Sequence, residues 1–395
     1  MHTDSAAAKA ILMIAPQPFY QDRGTPIAVK LLAGELARLG YRVDLLVYHE
    51  GADIEIDGVR LFRSRRLDLI NNIGPGFSLK KLVCDLWLYR RAKQLIQTNH
   101  YHFIHAVEEA VFMAARLSRK FLIPFVYDMD SVMSAQLVDK MGFLRPLKPV
   151  FTRIEGRAIR SASGVVAMCD EIADHARSIN PAAPVACLED IDLHNADGNG
   201  NEDLRTMLGI SGPLLLYVGN LETYQGIDLL LDAMGELKDR YPSAGLVVIG
   251  GSDEHISRYQ ALASRQGVAE QVFFVGRRDV TLLGYFLRQA DILISPRIKG
   301  SNTPMKIYSY LGSGVAVLAT DLPTHTQVLS TDVAWLCEPT PEAMANGIAT
   351  LIDQPHLRAR LGEAAQKLVS ERYSLSAYRA KLAHFYEELA ASIVP

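Results

Sequence analysis

The chain has 395 residues, is 49% hydrophobic and 22% charged, and carries a formal net charge of −3. It is too long for one typical domain and has the composition of an ordinary globular protein, so two domains are expected. Its cysteines (Cys84, Cys169, Cys187 and Cys337) are scattered with no pair at metal-ligand spacing, which argues against a zinc site or a disulfide framework. The N-terminus M-H-T-D-S-A-A-A-K lacks the basic start and apolar stretch of a signal peptide, and no run reaches the ~18 apolar residues of a membrane span. A cytoplasmic protein is the expectation. Residues 1–186 carry 24 Lys+Arg against 19 Asp+Glu, and the remainder 17 against 25. A more basic first half suits an acidic acceptor or an anionic membrane surface.

The first strand is read at Ala10–Ala15, followed by a loop from Pro16 to Pro26 and a helix from Ile27 to Leu39. Gly40 ends that helix, and Arg42–Val47 is the next strand. This βαβ opening lacks G-x-G-x-x-G, so a nicotinamide cofactor is not indicated. Two stretches, 78–97 and 140–157, mix basic residues with Trp87, Phe143 and Phe151, a pattern suited to the headgroup layer of anionic lipid. Strand Phe103–Ala106 carries His105 near its C-terminal end, where open α/β sheets bind ligands, and Glu109 follows. A histidine there can bond a ligand hydroxyl or a leaving-group oxygen, and a glutamate can take a hydroxyl proton. Strand Phe125–Tyr127 delivers Asp128, Asp130 and Ser131, and strand Gly164–Met168 closes the first sheet. A short strand at Ala182–Leu188 is followed by the polar linker Asp190–Asp203.

The second half repeats the alternation. Pro213–Asn220 is a strand with Gly219 at its end, and Gln225-Gly226-Ile227-Asp228 opens a helix through Leu237. Leu246–Gly251 and Val272–Arg278 read as further strands with glycine turns. Ile292–Ile294 is a buried strand, followed by a polar loop with Gly300, Asn302, Thr303 and Pro304. A helix then runs from Met305 to Gly312, and Val315–Ala319 is the next strand. Arg297, Lys299 and Lys306 cluster at the mouth of this unit, where an anion sits well. Val333–Leu336 is a last strand, and three helices (341–352, 356–370 and 375–392) complete the chain.

The stretch Ser295–Thr320 resembles the donor-binding segment of family-4 retaining glycosyltransferases, with Pro304, Lys306, Tyr310, Gly314, Val317, Ala319 and Thr320 in register. Ser309 stands where that family has a glutamate, and Asn220 and Gln225 stand where it holds the donor diphosphate with Arg and Lys. The resemblance implies the GT-B architecture, α/β with two Rossmann-like domains facing across a cleft. The implied acceptor domain is 1–188, the linker 189–204 and the nucleotide-sugar domain 205–370, with helix 371–395 packing back on the first domain. It implies transfer of a sugar from a nucleotide-diphosphate sugar to a hydroxyl with retention, in surface polysaccharide or glycolipid assembly. No cofactor, metal or nucleic acid is called for. Expected at the donor are Gly24, Thr25, Gly219, Asn220, Gln225, Arg277, Arg297, Lys299, Asn302, Thr303, Lys306 and Ser309. The acceptor, a carbohydrate or lipid-linked sugar, is expected at Asp130 and Ser131, with His105 and Glu109 catalytic. The two basic stretches would meet the inner face of the plasma membrane. D-x-D at Asp128–Asp130 would mean metal in the other glycosyltransferase architecture, but here it falls on an acceptor-side loop. The rivals are a nucleotide-sugar 2-epimerase and a glycosyltransferase-like binding subunit without catalysis.

Overall fold

A computed structural model describes residues 9–21, 24–68, 70–74, 78–192, 200–300 and 303–393. The chain divides into two units, Met1–Glu189 with Arg379–Pro395, and Asp190–Tyr378.

The first unit holds seven strands: β1 (Ala10–Ile14), β2 (Arg42–Val47), β3 (Val59–Arg63), β4 (Phe103–Val107), β5 (Phe125–Met129), β6 (Gly164–Ala167) and β7 (Val185–Cys187). They form one parallel sheet in the order β3-β2-β1-β4-β5-β6-β7. Every residue of β1 and β4 is buried, which is why central parallel strands read as unbroken apolar runs. The strand order reverses between β1 and β4, so successive crossovers diverge there and leave the carboxyl ends of those strands uncovered. Helices Leu79–Thr98, Ala110–Phe121 and Lys148–Ser161 share one apolar core with the sheet.

Residues of the opposite pleat meet the helix Leu375–Ile393. Phe385 and Leu389 press on Gly164, where a Cβ would come within 2.9 Å and 3.1 Å of them. The same helix is tied down by Arg379, which donates to both oxygens of Glu35 at 2.8 Å, and by Lys381 on Glu189. The first unit resumes at Arg379, eight residues beyond the boundary expected at 371. Strand β3 was not anticipated: its sequence V-R-L-F-R sits at the sheet edge, only half buried, and lacks an apolar run. The first helix spans Gly24–Arg38 and starts three residues before the expected Ile27. Residues 193–199 of the expected linker lie outside the described residues.

The second unit holds β8 (Leu214–Val218), β9 (Gly245–Ile249), β10 (Val272–Gly276), β11 (Ile292–Ser295), β12 (Ala316–Thr320) and β13 (Trp335–Cys337). These are parallel in the order β10-β9-β8-β11-β12-β13, and the order reverses between β8 and β11. Helices Ile227–Leu237 and Pro341–Asp353 belong to one core, and Lys306–Gly312 and Pro355–Arg372 to another. Among the described residues no helix is long and apolar enough to cross a membrane. Truncating Phe385, 1% exposed, to alanine is expected to destabilise the first unit by about 3–5 kcal/mol, read by urea denaturation.

Candidate functional site

In the second unit the site is built where the sheet order reverses. The loop after β11 lies directly on the turn that precedes helix Ile227–Leu237. Ile298 N–H donates to Tyr224 O at 3.0 Å, and a Cβ on Gly226 (φ +76°) would stand 1.9 Å from Pro296 O. Only a glycine fits at that contact. Thr320 Oγ1 donates to Arg297 O at 2.5 Å, and an Arg297 guanidinium N–H donates to Thr324 Oγ1 at 2.9 Å. The Arg297 guanidinium lies 5.1 Å from the Tyr224 ring centroid.

Lys306, the first residue of its helix, reaches the same place. Its Nζ is 3.9 Å from the Tyr217 ring centroid, 3.4 Å from where a Cβ on Gly219 would stand, and donates to Gln225 Oε1 at 3.3 Å. Burial and the neighbouring charge of Arg297 hold its ammonium well below the ordinary lysine range. No carboxylate pairs with Lys306 among the described residues. Each cation faces its own ring, Arg297 that of Tyr224 and Lys306 that of Tyr217, with the neutral Gln225 amide on Lys306.

Behind them, His325 is fully buried. Its Nδ1 donates to Thr320 O at 2.8 Å, so Nε2 accepts from Ser295 Oγ at 2.9 Å. Burial, with Lys306 and Arg297 adding, lowers its pKa to about 4.

Gly219, Gln225, Arg297 and Lys306 are therefore brought together, whereas the side chains of the other residues named in this unit are not. Asn220 is exposed, and its Oδ1 accepts from Glu222 N–H at 3.3 Å. Arg277 is exposed and donates to Gly251 O at 3.1 Å, and Lys299 is exposed on the loop. Thr303 is buried with its hydroxyl on Gln327 Oε1 at 3.2 Å, and Ser309 is buried in its helix. Asn302 lies outside the described residues. Gln225 Oε1 is directed at Lys306, so it orients the cation. Tyr217 and Tyr224, which face the two cations, were not singled out in the sequence. Their aromatic rings beside Gly219 and Gln225 were the available signal.

In the first unit Gly24 is exposed at the start of its helix, with Thr25 next to it. His105 corrects its expectation: it is fully buried, with Nδ1 2.7 Å from Tyr386 Oη and Nε2 3.2 Å from Asp128 Oδ2. The pleat of β4 turns it under the Leu375–Ile393 helix, so both ring nitrogens are occupied by the protein. Glu109 is likewise committed, in an ion pair with Lys81. Ser131 is buried and donates to the carboxylate of Glu108, and Asp130 lies beside it after β5. Glu108 itself has φ +49°.

The buried neutral imidazole has a pH consequence. The unfolded chain binds a proton below about pH 6.5, while folded His325 stays neutral down to about 4, so this group's stability contribution falls as pH drops through that window. The expected loss is about 3 kcal/mol for the second unit. Equilibrium denaturation between pH 7 and 4 should show a shallower decline in His325→Asn.

Two family models match. "Glycosyl transferase 4-like domain" covers residues 23–188 and "Glycosyl transferases group 1" covers 205–368. Over 317 residues the chain is 25% identical to an alpha-D-kanosaminyltransferase of Streptomyces kanamyceticus, covering 77% of this chain and 81% of that one. Over 310 residues it is 25% identical to a phosphatidyl-myo-inositol mannosyltransferase of Mycolicibacterium smegmatis, covering 77% and 75%. Among solved structures, a sucrose-phosphate synthase of Thermosynechococcus elongatus matches with TM-score 0.77 at 20% identity, over 97% of this chain and all 100% of that one. The Anabaena HepE protein in complex with UDP-glucose matches with TM-score 0.72 at 17% identity, over 96% and 99%. Two parallel α/β units, each matched by a glycosyltransferase sequence model, place the chain in the family-4 glycosyltransferases of GT-B type.

Proposed function

We propose that this glycosyltransferase moves a sugar from a nucleotide-diphosphate donor to a hydroxyl of a carbohydrate or lipid-linked acceptor, with retained anomeric configuration and without a metal. The observation that carries the reading is the pair Arg297 and Lys306, gathered at the carboxyl ends of β8 and β11 with no carboxylate on Lys306 among the described residues. The family's Arg and Lys are here Asn220 and Gln225, and the pair supplies the positive charge those amides do not. When the bond from the anomeric carbon to the diphosphate oxygen breaks, negative charge grows on the leaving group. Cations fixed in a partly dry site stabilise that charge more than water does. Gly219, with φ +151°, leaves room beside Lys306 for a phosphate to approach the backbone.

Arg297→Ala and Lys306→Ala are each expected to weaken donor binding by about tenfold to a hundredfold, since a charge-assisted hydrogen bond contributes about 1.5–3 kcal/mol. A thermal-shift and calorimetric screen of UDP-, GDP-, ADP- and dTDP-sugars against both variants checks this. Donor affinity unchanged in both would sink the reading.

An exposed face of the first unit supports a site of action at an anionic membrane, where a surface polysaccharide or glycolipid would be assembled. Leu79, Leu82, Val83 and Leu86 recur at helical spacing and are 43–77% exposed, beside exposed Lys80 and Arg90. Phe143, Leu147, Val150 and Ile154 are 44–78% exposed among exposed Arg145, Lys148, Arg153 and Arg157. Apolar side chains in a field of cations suit the headgroup layer of acidic lipid. Trp87 is not the anchor its sequence position suggests, because the Arg65 and Arg90 guanidiniums lie 4.9 Å and 4.6 Å from its ring centroid. Sedimentation with phosphatidylglycerol vesicles should show binding that phosphatidylcholine vesicles lack. The double variant Leu82→Asp/Phe143→Asp should lose about tenfold or more, since each buried side chain of this kind contributes about 1.5–3 kcal/mol.

A further inference from the structure

The two cations of the second unit are chemically unequal. The Arg297 guanidinium keeps its charge at any pH a protein meets, whereas the Lys306 amine can give its proton up. An ammonium carries three N–H donors, and the described residues offer the Lys306 nitrogen one hydrogen-bond acceptor, Gln225 Oε1 at 3.3 Å. The Tyr217 ring turns its face to that nitrogen at 3.9 Å, while its hydroxyl donates to Asn220 O at 2.6 Å. Gly219 brings no side chain against it, and a Cβ there would stand 3.4 Å from Nζ. A half-buried ammonium at this place has N–H groups to spare.

The charges around it do not favour the ammonium either. The titratable groups nearby are Tyr217 on β8, Tyr224 beside Gln225, Arg297 on the loop after β11, and His325 of helix Pro323–Thr326. Lys299 is exposed on the same loop, and helix Lys306–Gly312 itself adds Tyr310, whose Oη accepts from Val218 N–H at 2.8 Å. Asp228, on the helix that follows Gln225, is engaged by Tyr259 Oη at 3.0 Å and by Arg258 at 3.6 Å. Desolvation and the Arg297 charge therefore act on the amine in the same direction, which lowers its proton affinity. A diphosphate would reverse both effects, since it brings negative charge and acceptor oxygens for the idle N–H groups.

We propose that donor binding is coupled to proton uptake at Lys306: its amine is neutral in the free protein and becomes an ammonium as the diphosphate enters. The inference rests on the donor reading above. The proton comes from a buffer acid or water and adds to the lone pair on Nζ, and no other bond forms or breaks. The free site then holds one fixed cation, Arg297, in place of two that repel each other, and the second charge is made where the ligand uses it. The sign of the pH effect follows from linkage. Bound donor raises the proton affinity of the amine, so between the free and bound pKa values donor affinity falls as pH rises, by up to about tenfold per pH unit.

The test is calorimetric titration of the full chain with UDP-glucose, GDP-mannose, ADP-glucose and dTDP-glucose at pH 7.5, in PIPES, HEPES and Tris. The slope of the observed enthalpy against the ionisation enthalpy of the buffer counts the protons taken up. Nucleotide sugars serve because their esterified diphosphate does not titrate there, whereas a terminal phosphate does at about pH 6. Wild type should take up more than about half a proton per donor bound, and its affinity should fall about threefold or more between pH 7.5 and 8.5. Lys306→Arg, whose charge is permanent, should bind without uptake and with an affinity flat in pH, and Lys306→Met should bind more weakly, also without uptake. Donor binding by wild type with no proton taken up, or uptake that persists in either variant, overturns this assignment alone. A wild type that binds none of the four nucleotide sugars overturns the donor reading and the assignment with it.

Discussion

Two like charges, Arg297 and Lys306, are held close in partial burial, and the second unit is arranged to tolerate them. Left alone they repel each other and lose hydration, which is why the ammonium of Lys306 gives up its proton more readily than a free lysine. The protein offsets that cost with the Tyr217 and Tyr224 rings and the Gln225 amide, none of which carries charge. An acid placed there would pair with the cations and compete with an anionic ligand. That is the physical basis on which a donor diphosphate is proposed there.

Holding the cations in place demands close backbone approach. Gly226 lets the loop after β11 lie on the turn before helix Ile227–Leu237, and a Cβ on Gly250 (φ +115°) would stand 2.2 Å from Gly219 O. His325 braces the loop from behind in its neutral form, bridging the Ser295 hydroxyl and the Thr320 carbonyl. A protonated imidazole there would add a third positive charge, so the neutral form is the one that fits.

The first unit has the opposite electrostatic character at the corresponding end of its sheet. Glu108, Glu109 and Asp128 lie near one another, and Lys81 balances only part of their charge by pairing with Glu109. Burial, then the charges of Glu109 and Asp128, raise the pKa of the Glu108 carboxyl to about 8. His105 sits one layer deeper, where it ties Asp128 to Tyr386 of the Leu375–Ile393 helix. Its contribution is to the frame of that acidic cluster.

Much of the architecture was legible from local pattern. Strands such as Ala10–Ile14 and Ile292–Ser295 are buried on both faces, so burial writes itself into the sequence as continuous apolar runs separated by helical periods. Edge strand β3 escaped because it is only half buried and Arg60 and Arg63 break its apolar run. At the sites, Lys306 and Arg297 were readable because a charged side chain beside a strand end is unusual on its face. The pairing of Glu109 with Lys81, and the burial of His105, were not readable. Adjacent residues in a turn point in different directions, and a strand's pleat shows which face a residue takes only when the helix covering that face is known. The order of residues settles which elements form and which charges lie near a strand end. Which of those charges meet a partner is settled by packing between segments distant in the chain, as Tyr386 and Lys81 do here, because pairing and desolvation depend on distance in space.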